Sequence, residues 1–91
     1  MQGMKQVHLK IFGKVHGVGF RFFVKQQARL LGLKGYVRND KDFVEVVAQG
    51  PEFKLKDFIN KCKRGPILAR VERVDLSYEE PSELEEFEIR V

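Results

Sequence analysis

Two apolar stripes at helical spacing, set among segments in which apolar and polar residues alternate, constrain the fold of this chain most strongly. A stripe of this kind predicts an amphipathic helix that covers an apolar surface. The members are Phe20, Phe23, Val24, Ala28 and Leu31 in the first stripe, and Leu55, Phe58, Ile59 and Cys62 in the second. Gly32 follows the first helix as its predicted C-terminal cap, while Gly50-Pro51 opens the second helix and Gly65-Pro66 ends it.

The segments around the two helices alternate between apolar and polar residues, which predicts strands with one buried face. Their apolar members are Val7, Leu9 and Ile11, then Tyr36 and Val37 within residues 33–39, then Val44, Val46 and Ala48, then Val74, Leu76 and Tyr78, and finally Phe87, Ile89 and Val91. Val71 is out of phase with the fourth strand, so we expect a β-bulge near Glu72 or Arg73.

The order of elements is strand, helix, strand, strand, helix, strand, followed by an extra strand. This order is typical of the α+β class and of the ferredoxin-like split βαβ sandwich. In that fold two helices pack on one face of an antiparallel sheet, here of about five strands. The fold hosts many unrelated functions, so it does not identify a reaction.

The composition limits the class of protein. A length of 91 residues with 43% hydrophobic and 33% charged residues is typical of a soluble globular protein, so we expect a single domain over residues 1–91. One cysteine, Cys62, excludes an internal disulfide, and we interpret it as a core thiol. No apolar run reaches membrane-spanning length, and the first six residues lack a signal-peptide apolar region. We therefore expect a cytoplasmic monomer without membrane attachment.

A glycine-rich segment, residues 13–21, joins the first strand to the first helix. It reads Gly-Lys-Val-His-Gly-Val-Gly-Phe-Arg, and its glycines allow backbone conformations and close approaches that side chains forbid. Successive N–H groups of such a loop can point at one spot, and the helix that follows adds unpaired N–H groups and the positive end of its dipole. We therefore expect this loop to bind an anion, and a phosphoryl group fits best.

Arg21 lies in the first turn of the predicted helix, where a cation is electrostatically unfavourable. No acidic residue precedes it, because the first Asp or Glu of the chain is Asp40. Residues 1–50 carry nine Lys or Arg against three Asp or Glu, whereas residues 51–91 carry eight against ten. Arg21 thus supports an external anion as the ligand. The basic half also leaves nonspecific binding of nucleic acid open, although a solvated surface explains most of its lysines.

Three motifs resemble signatures of the acylphosphatase family. They are Gly13-x-Val15-x-Gly17-Val18-Gly19-Phe20-Arg21, Gly35-Tyr36-Val37-Arg38-Asn39 and Gly65-Pro66-x-Leu68-Ala69-x-Val71. The resemblance extends from about Val7 to Val91 and covers length, element order and motif spacing together. The chain is therefore similar to a small stand-alone acylphosphatase.

The resemblance implies hydrolysis of the carboxyl–phosphate bond of acyl phosphates, without a metal, to a carboxylate and orthophosphate. By motif position, Arg21 would bind the phosphate and Asn39 would position the attacking water. The phosphate cradle would consist of the backbone N–H groups of His16, Gly17, Val18, Gly19, Phe20 and Arg21. We then expect a small acyl phosphate as the partner, with no metal or other cofactor and no nucleic acid.

The chain departs from the family pattern in three places. The family usually has Gln at His16, Trp at Tyr36, and a glycine in the turn after Asn39, where residues 40–43 of this chain read Asp-Lys-Asp-Phe. This shorter turn begins beside Asn39 and bears on how that residue is held. For His16 we expect only the backbone N–H to matter, because no Asp or Glu stands near it to form a triad or a metal site.

Two other classes of function stay open from the sequence. An RNA-binding module has the same architecture, and Lys34-Gly35-Tyr36 begins like its strand signature but continues with Val37-Arg38-Asn39, on the second strand rather than the third. A small-ligand regulatory domain, or a family member without activity, is the other class. The presence of both Arg21 and Asn39 argues against loss of activity. A dinucleotide fingerprint would need glycine at Phe22 and is rejected.

Overall fold

A computed structural model describes residues 3–91 of the chain, and its elements follow the predicted order. They are β1 (Lys5–Lys14), α1 (Phe20–Leu30), β2 (Lys34–Asn39), β3 (Val44–Gly50), α2 (Glu52–Arg64), β4 (Arg70–Glu79) and β5 (Glu88–Arg90). The helices end as predicted, since Gly32 follows α1 and the N–H of Gly65 donates to the Lys61 carbonyl at 2.9 Å after α2. In the described residues, no helix is both long and apolar enough to cross a membrane.

The five strands form one sheet in the order β4-β1-β3-β2-β5. The pairs β1–β4, β1–β3 and β2–β3 are antiparallel, which confirms the ferredoxin-like arrangement of the first four strands. β5 instead runs parallel to β2, so the sheet is mixed. The reason is the connection after β4, which crosses to the other edge of the sheet and reverses the direction of the chain. This strand is also shorter than its alternation predicts, because Phe87 and Val91 lie just outside it.

The predicted β-bulge lies in β4. Phe12 pairs with Arg73 while Gly13 pairs with Val71, so Glu72 has no opposite residue in β1. The register therefore shifts at the point where β1 approaches the glycine-rich loop. A bulge of this kind bends its strand and increases the local twist, which changes the direction in which the chain enters that loop.

The core lies between the two helices and one face of the sheet. Alternate strand residues and both predicted helical stripes contribute to it. The fully buried side chains include Val7, Leu9, Ile11, Val24, Ala28, Val37, Val44, Val46, Leu55, Phe58 and Cys62. Phe87 adds a buried ring from the end of the chain, and its centroid lies 6.1 Å from that of Phe58. Cys62 is thus a core thiol as predicted, and burial raises its pKa.

In residues 3–91 no helix covers the opposite, open face of the sheet, and this face carries a charged network centred on Glu45. Its carboxylate accepts a hydrogen bond from Arg38 Nη1 at 2.7 Å and another from His8 Nε2 at 2.8 Å. Arg38 also reaches the Asp40 carboxylate at 3.4 Å. Burial would raise the pKa of the Glu45 carboxyl, but the hydrogen bonds from His8 and Arg38 outweigh it and hold that pKa below its ordinary value of 4.5.

Glu45→Gln should lower the stability of the protein near neutral pH but not in acid. Because the pKa of Glu45 is depressed, its carboxylate stabilises the folded state above pH 4.5, and this contribution disappears as pH falls through the folded-state pKa. Near neutral pH the free energy of unfolding should differ between wild type and variant by about 1 kcal/mol or less, because solvent partly screens the network. Urea denaturation at a series of pH values measures this difference. A difference that grows in acid would contradict the expected sign.

Candidate active site

The glycine-rich loop between β1 and α1 is anchored at both ends, and Val18 in its middle packs against the core. Val15 and Phe20, at the two ends, are buried. Between them, Gly17 and Gly19 adopt φ values of 71° and 77°, in the left-handed region that favours glycine. The loop can therefore turn sharply enough for α1 to begin directly after it.

The first turn of α1 presents backbone donors that have no acceptor. Within residues 3–91, no hydrogen bond uses the backbone N–H groups of residues 16–22. The N-cap is Gly19, which has no side chain to accept them, and the first turn contains no acidic residue. Unpaired N–H groups and the positive end of the helix dipole together favour a negative charge at this position.

The Arg21 side chain adds a full positive charge to this helix end and is half-buried. The ion pairs found among residues 3–91 use other cations, namely Lys5, His8, Arg29, Arg38, Arg73 and Arg90. The Arg21 guanidinium is thus not neutralised by a carboxylate of the described chain. Its charge and its donors are available to an anion from outside.

Asn39 is the last residue of β2 and lies at the same end of the sheet as the loop. β1 and β2 are both antiparallel to β3, which lies between them. The carboxyl ends of β1 and β2 therefore lie at the same end of the sheet. Val44 of β3 pairs with Ile11 on one side and with Asn39 on the other. Asn39 shares a strand face with the buried Val37, and Arg38 therefore lies on the opposite face, as strand alternation predicts.

The turn between β2 and β3 is closed by hydrogen bonds and contains no glycine. The Asp40 N–H donates to the Phe43 carbonyl at 2.8 Å, and the Asp40 carboxylate accepts the Lys41 N–H at 2.7 Å. No residue of this turn has a positive φ, so glycine is not required there. Asn39 is thus followed by an ordered turn, although that turn departs from the family pattern.

A cavity of about 210 Å³ opens between the loop and the end of β2. Its lining residues are Val15, Gly17, Gly19, Phe20, Arg21, Phe22, Asn39 and Ile89. Arg21 and Asn39, which belong to different elements, therefore share one cavity with the loop glycines and the helix N-terminus. Two members of the predicted cradle, His16 and Val18, are not among these lining residues.

Phe22 and Ile89 line the cavity although the sequence did not lead us to predict them there. Phe22 is 60% exposed and lies outside the apolar stripe of α1, and a large aromatic residue off the buried face of a helix was an available signal. Ile89 had no such signal, because it reaches the cavity through the pairing of β5 with β2. The sequence likewise contains no signal for the contact of the His16 ring, whose Nε2 lies 3.1 Å from the carbonyl oxygen of Phe43, a residue far away in the sequence.

The arrangement is suited to a small oxyanion with a water beside it. Backbone donors and the Arg21 guanidinium favour the anion, and the Asn39 amide offers both an acceptor and donors. The cavity volume of about 210 Å³ far exceeds the roughly 15 Å³ that one water needs. The described residues contain no cluster of three or more His, Cys, Asp or Glu side chains that could hold a metal ion.

Comparison with known proteins finds relatives over almost the whole chain. The family model described as Acylphosphatase matches residues 7–89. An acylphosphatase of Moorella thermoacetica is 46% identical over 86 residues, which covers 93% of this chain and 92% of that protein. One of Thermococcus kodakarensis is 46% identical over 89 residues, covering 94% and 98%. The crystal structure of acylphosphatase from Bacillus subtilis has a TM-score of 0.92 at 32% identity, covering 96% and 99%.

These three relatives carry the same name, and none is named as an RNA-binding or ligand-sensing protein. The RNA-binding and regulatory alternatives therefore gain no support from them. Identity and coverage of this size show membership of the family that the motifs resemble. The chain belongs to the acylphosphatase family and functions as an acylphosphatase.

Proposed function

We propose that Arg21 and Asn39 carry out the acylphosphatase reaction in the cavity between the glycine-rich loop and β2. The observation that carries this proposal is that both residues line one cavity together with the N-terminus of α1. We also propose that the protein acts as a monomer. We further propose a cytoplasmic protein of one domain over residues 1–91, with an acyl phosphate as its partner and no nucleic acid.

The phosphoryl group of the substrate binds at the N-terminus of α1. Backbone N–H groups of residues 16–21 donate to its oxygens, and the Arg21 guanidinium adds charge-assisted hydrogen bonds in a planar fork. The backbone holds these dipoles in place, so they do not have to reorient during the reaction. The bound anion also supplies the negative charge that the first turn of α1 lacks.

Asn39 holds the attacking water at the end of β2. Its side-chain amide has an acceptor and two donors, so it can fix both the position and the orientation of that water. The water oxygen attacks phosphorus in line with the bridging oxygen, and the bond from phosphorus to that bridging oxygen breaks. The electron pair of this bond leaves with the carboxylate. A phosphoryl oxygen of the substrate accepts the proton of the water, and orthophosphate is released.

The leaving group explains why the cavity needs so few chemical groups. The conjugate acid of a carboxylate has a pKa of about 4, so the carboxylate departs without receiving a proton. The protein then has to neutralise the phosphoryl oxygens and to align the water, which the Arg21 guanidinium, the loop amides and Asn39 can do. Among the described residues that line the cavity, Arg21 is the one titratable side chain.

Purified protein should release orthophosphate from benzoyl phosphate at the same rate with and without EDTA. The physical reason is that the guanidinium and the backbone amides supply the charge neutralisation that a metal ion would otherwise provide. A phosphate-release assay measures the rate, with the uncatalysed hydrolysis subtracted. Activity that EDTA abolishes and Mg²⁺ restores would contradict the metal-free mechanism.

Arg21→Ala should weaken phosphate binding and slow turnover together, because the guanidinium contacts the phosphoryl group before and during the transfer. We expect kcat to fall on the order of 10²-fold or more, as for the loss of one preorganised donor, and the inhibition constant of inorganic phosphate to rise. Arg21→Lys should recover part of the loss, since an ammonium lacks the planar fork. Lys25→Ala removes a cation one turn further along α1 and is the matched control. Near-normal turnover of Arg21→Ala would remove this residue from the mechanism.

Asn39→Ala should lower kcat and leave phosphate binding nearly unchanged, because the amide acts on the water and not on the phosphoryl group. The expected loss is on the order of 10²-fold, with the thermal unfolding midpoint close to that of wild type. Steady-state kinetics with benzoyl phosphate and inhibition by inorganic phosphate separate the two effects. Asn60→Ala makes the same substitution at an exposed position of α2 and should behave as wild type. An equal rise in KM and in the phosphate inhibition constant, with kcat unchanged, would argue for a binding role instead.

A further inference from the structure

The middle of the glycine-rich loop is held by Val18, which packs against the core, but the glycines on either side of it have open space beside them. A Cβ built at Gly17 or Gly19 would meet no atom within 4 Å, so the backbone at both positions faces open space. The loop must nevertheless keep its N–H groups in one place relative to Asn39, which belongs to a different element. Catalysis requires this because a displacement of about 1 Å in a reacting geometry can cost roughly 10²-fold in rate. The core contacts of Val15, Val18 and Phe20 do not join the loop to Asn39, and a contact between the loop and the β2–β3 turn can supply this further restraint.

The His16 ring makes such a contact. Its Nε2 lies 3.1 Å from the Phe43 carbonyl oxygen, which can only accept, so Nε2 carries the proton and donates it. The same oxygen accepts the Asp40 N–H at 2.8 Å. The Phe43 carbonyl therefore joins His16 of the loop to Asp40, the residue after Asn39.

Phe43 is a firm anchor for this hydrogen bond. Its ring packs against Phe12 of β1 with 5.3 Å between centroids, and the ammonium of Lys10 lies 5.3 Å from the centre of the same ring. The next residue, Val44, is fully buried in β3. The ring contacts of Phe43 and the burial of Val44 thus fix the position of the Phe43 carbonyl. His16 itself is exposed.

We propose that His16 is a positioning residue for the acylphosphatase reaction: its ring sets the distance between the backbone amides that hold the phosphoryl group and the Asn39 amide that holds the water. This proposal rests on the roles proposed above for the loop and for Asn39. The ring does not line the cavity and does not touch the reacting atoms. A solvent-exposed hydrogen bond contributes little to global stability, so its effect should be on turnover rather than on folding.

His16→Ala should therefore lower kcat on the order of tenfold and change the inhibition constant of inorganic phosphate much less. The backbone N–H of residue 16 is retained in this variant, and only the restraint on the loop is lost. His16→Gln should restore most of the rate, because the amide nitrogen of glutamine stands as many bonds from Cα as Nε2 of histidine. His16→Phe keeps a ring without the donor and should be as slow as His16→Ala. The measurements are steady-state kinetics, phosphate inhibition and the thermal unfolding midpoint.

A double-mutant cycle with Asn39→Ala tests whether His16 acts through Asn39. If the ring only keeps the loop in register with that amide, then His16→Ala should cost little further rate once Asn39 is already alanine. A general disturbance of the loop would instead cost the same factor in both backgrounds. His8→Ala is the matched control, because His8 bonds to Glu45 on the open face of the sheet and should not change kcat.

The possible results distinguish this proposal from the mechanism on which it rests. Normal turnover of His16→Ala beside a slow Asn39→Ala overturns the role of His16 alone, and so does an equal loss in both backgrounds of the cycle. Wild-type rates for the His16→Phe variant also overturn the role of His16, because the hydrogen bond would then not matter for turnover. A large fall in the unfolding midpoint of this variant overturns it too, because lost stability would then explain the slow rate. Normal turnover of Asn39→Ala overturns the mechanism itself, and the role of His16 with it.

Discussion

The antiparallel backbone hydrogen bonds that join β3 to β1 on one side and to β2 on the other set the geometry on which the site depends. Val44 stands between Ile11 and Asn39 in these pairings. Adjacent strands lie about 4.8 Å apart, so Ile11 of β1 and Asn39 at the end of β2 are roughly 10 Å from each other. The loop that follows β1 and the amide of Asn39 are therefore brought within reach across a single strand. The loop alone could not provide this, because loops are more mobile than the sheet that carries them.

The N-terminus of α1 lacks the features that usually stabilise a helix start. A helix start gains stability from a side-chain cap and from an acidic residue, and α1 has Gly19 and Arg21 instead. α2 also lacks a side-chain cap, but its first turn contains the acidic Glu52. Because the two helices belong to the same chain, composition does not explain the contrast. The helix without an acidic first turn is α1, the one that borders the cavity. A bound phosphoryl group would stabilise the folded state by supplying the missing negative charge.

The sequence predicts those parts of the fold and of the site that depend on local patterns. Helical and alternating periodicity predicts both helices and the first four strands, and the out-of-phase position of Val71 predicts the bulge in β4. Arg21 and Asn39 emerge as a pair because a resemblance joins their two motifs, and one cavity contains both. The direction of β5, the entry of Ile89 into the cavity and the contact made by the His16 ring could not be predicted. Each depends on which distant segments meet, and neighbouring residues carry no signal for that.

The sheet separates the charges that support the fold from the groups that we propose to act on the substrate. His8, Arg38 and Glu45 interact on the open face, whereas Asn39, the residue after Arg38, lies on the other face. Strand alternation is sufficient for this division, since consecutive side chains point to opposite faces. The cavity then contains backbone dipoles, an amide and the guanidinium of Arg21. A reaction whose leaving group needs no proton can proceed in such a cavity, and the groups that titrate are left to stabilise the fold.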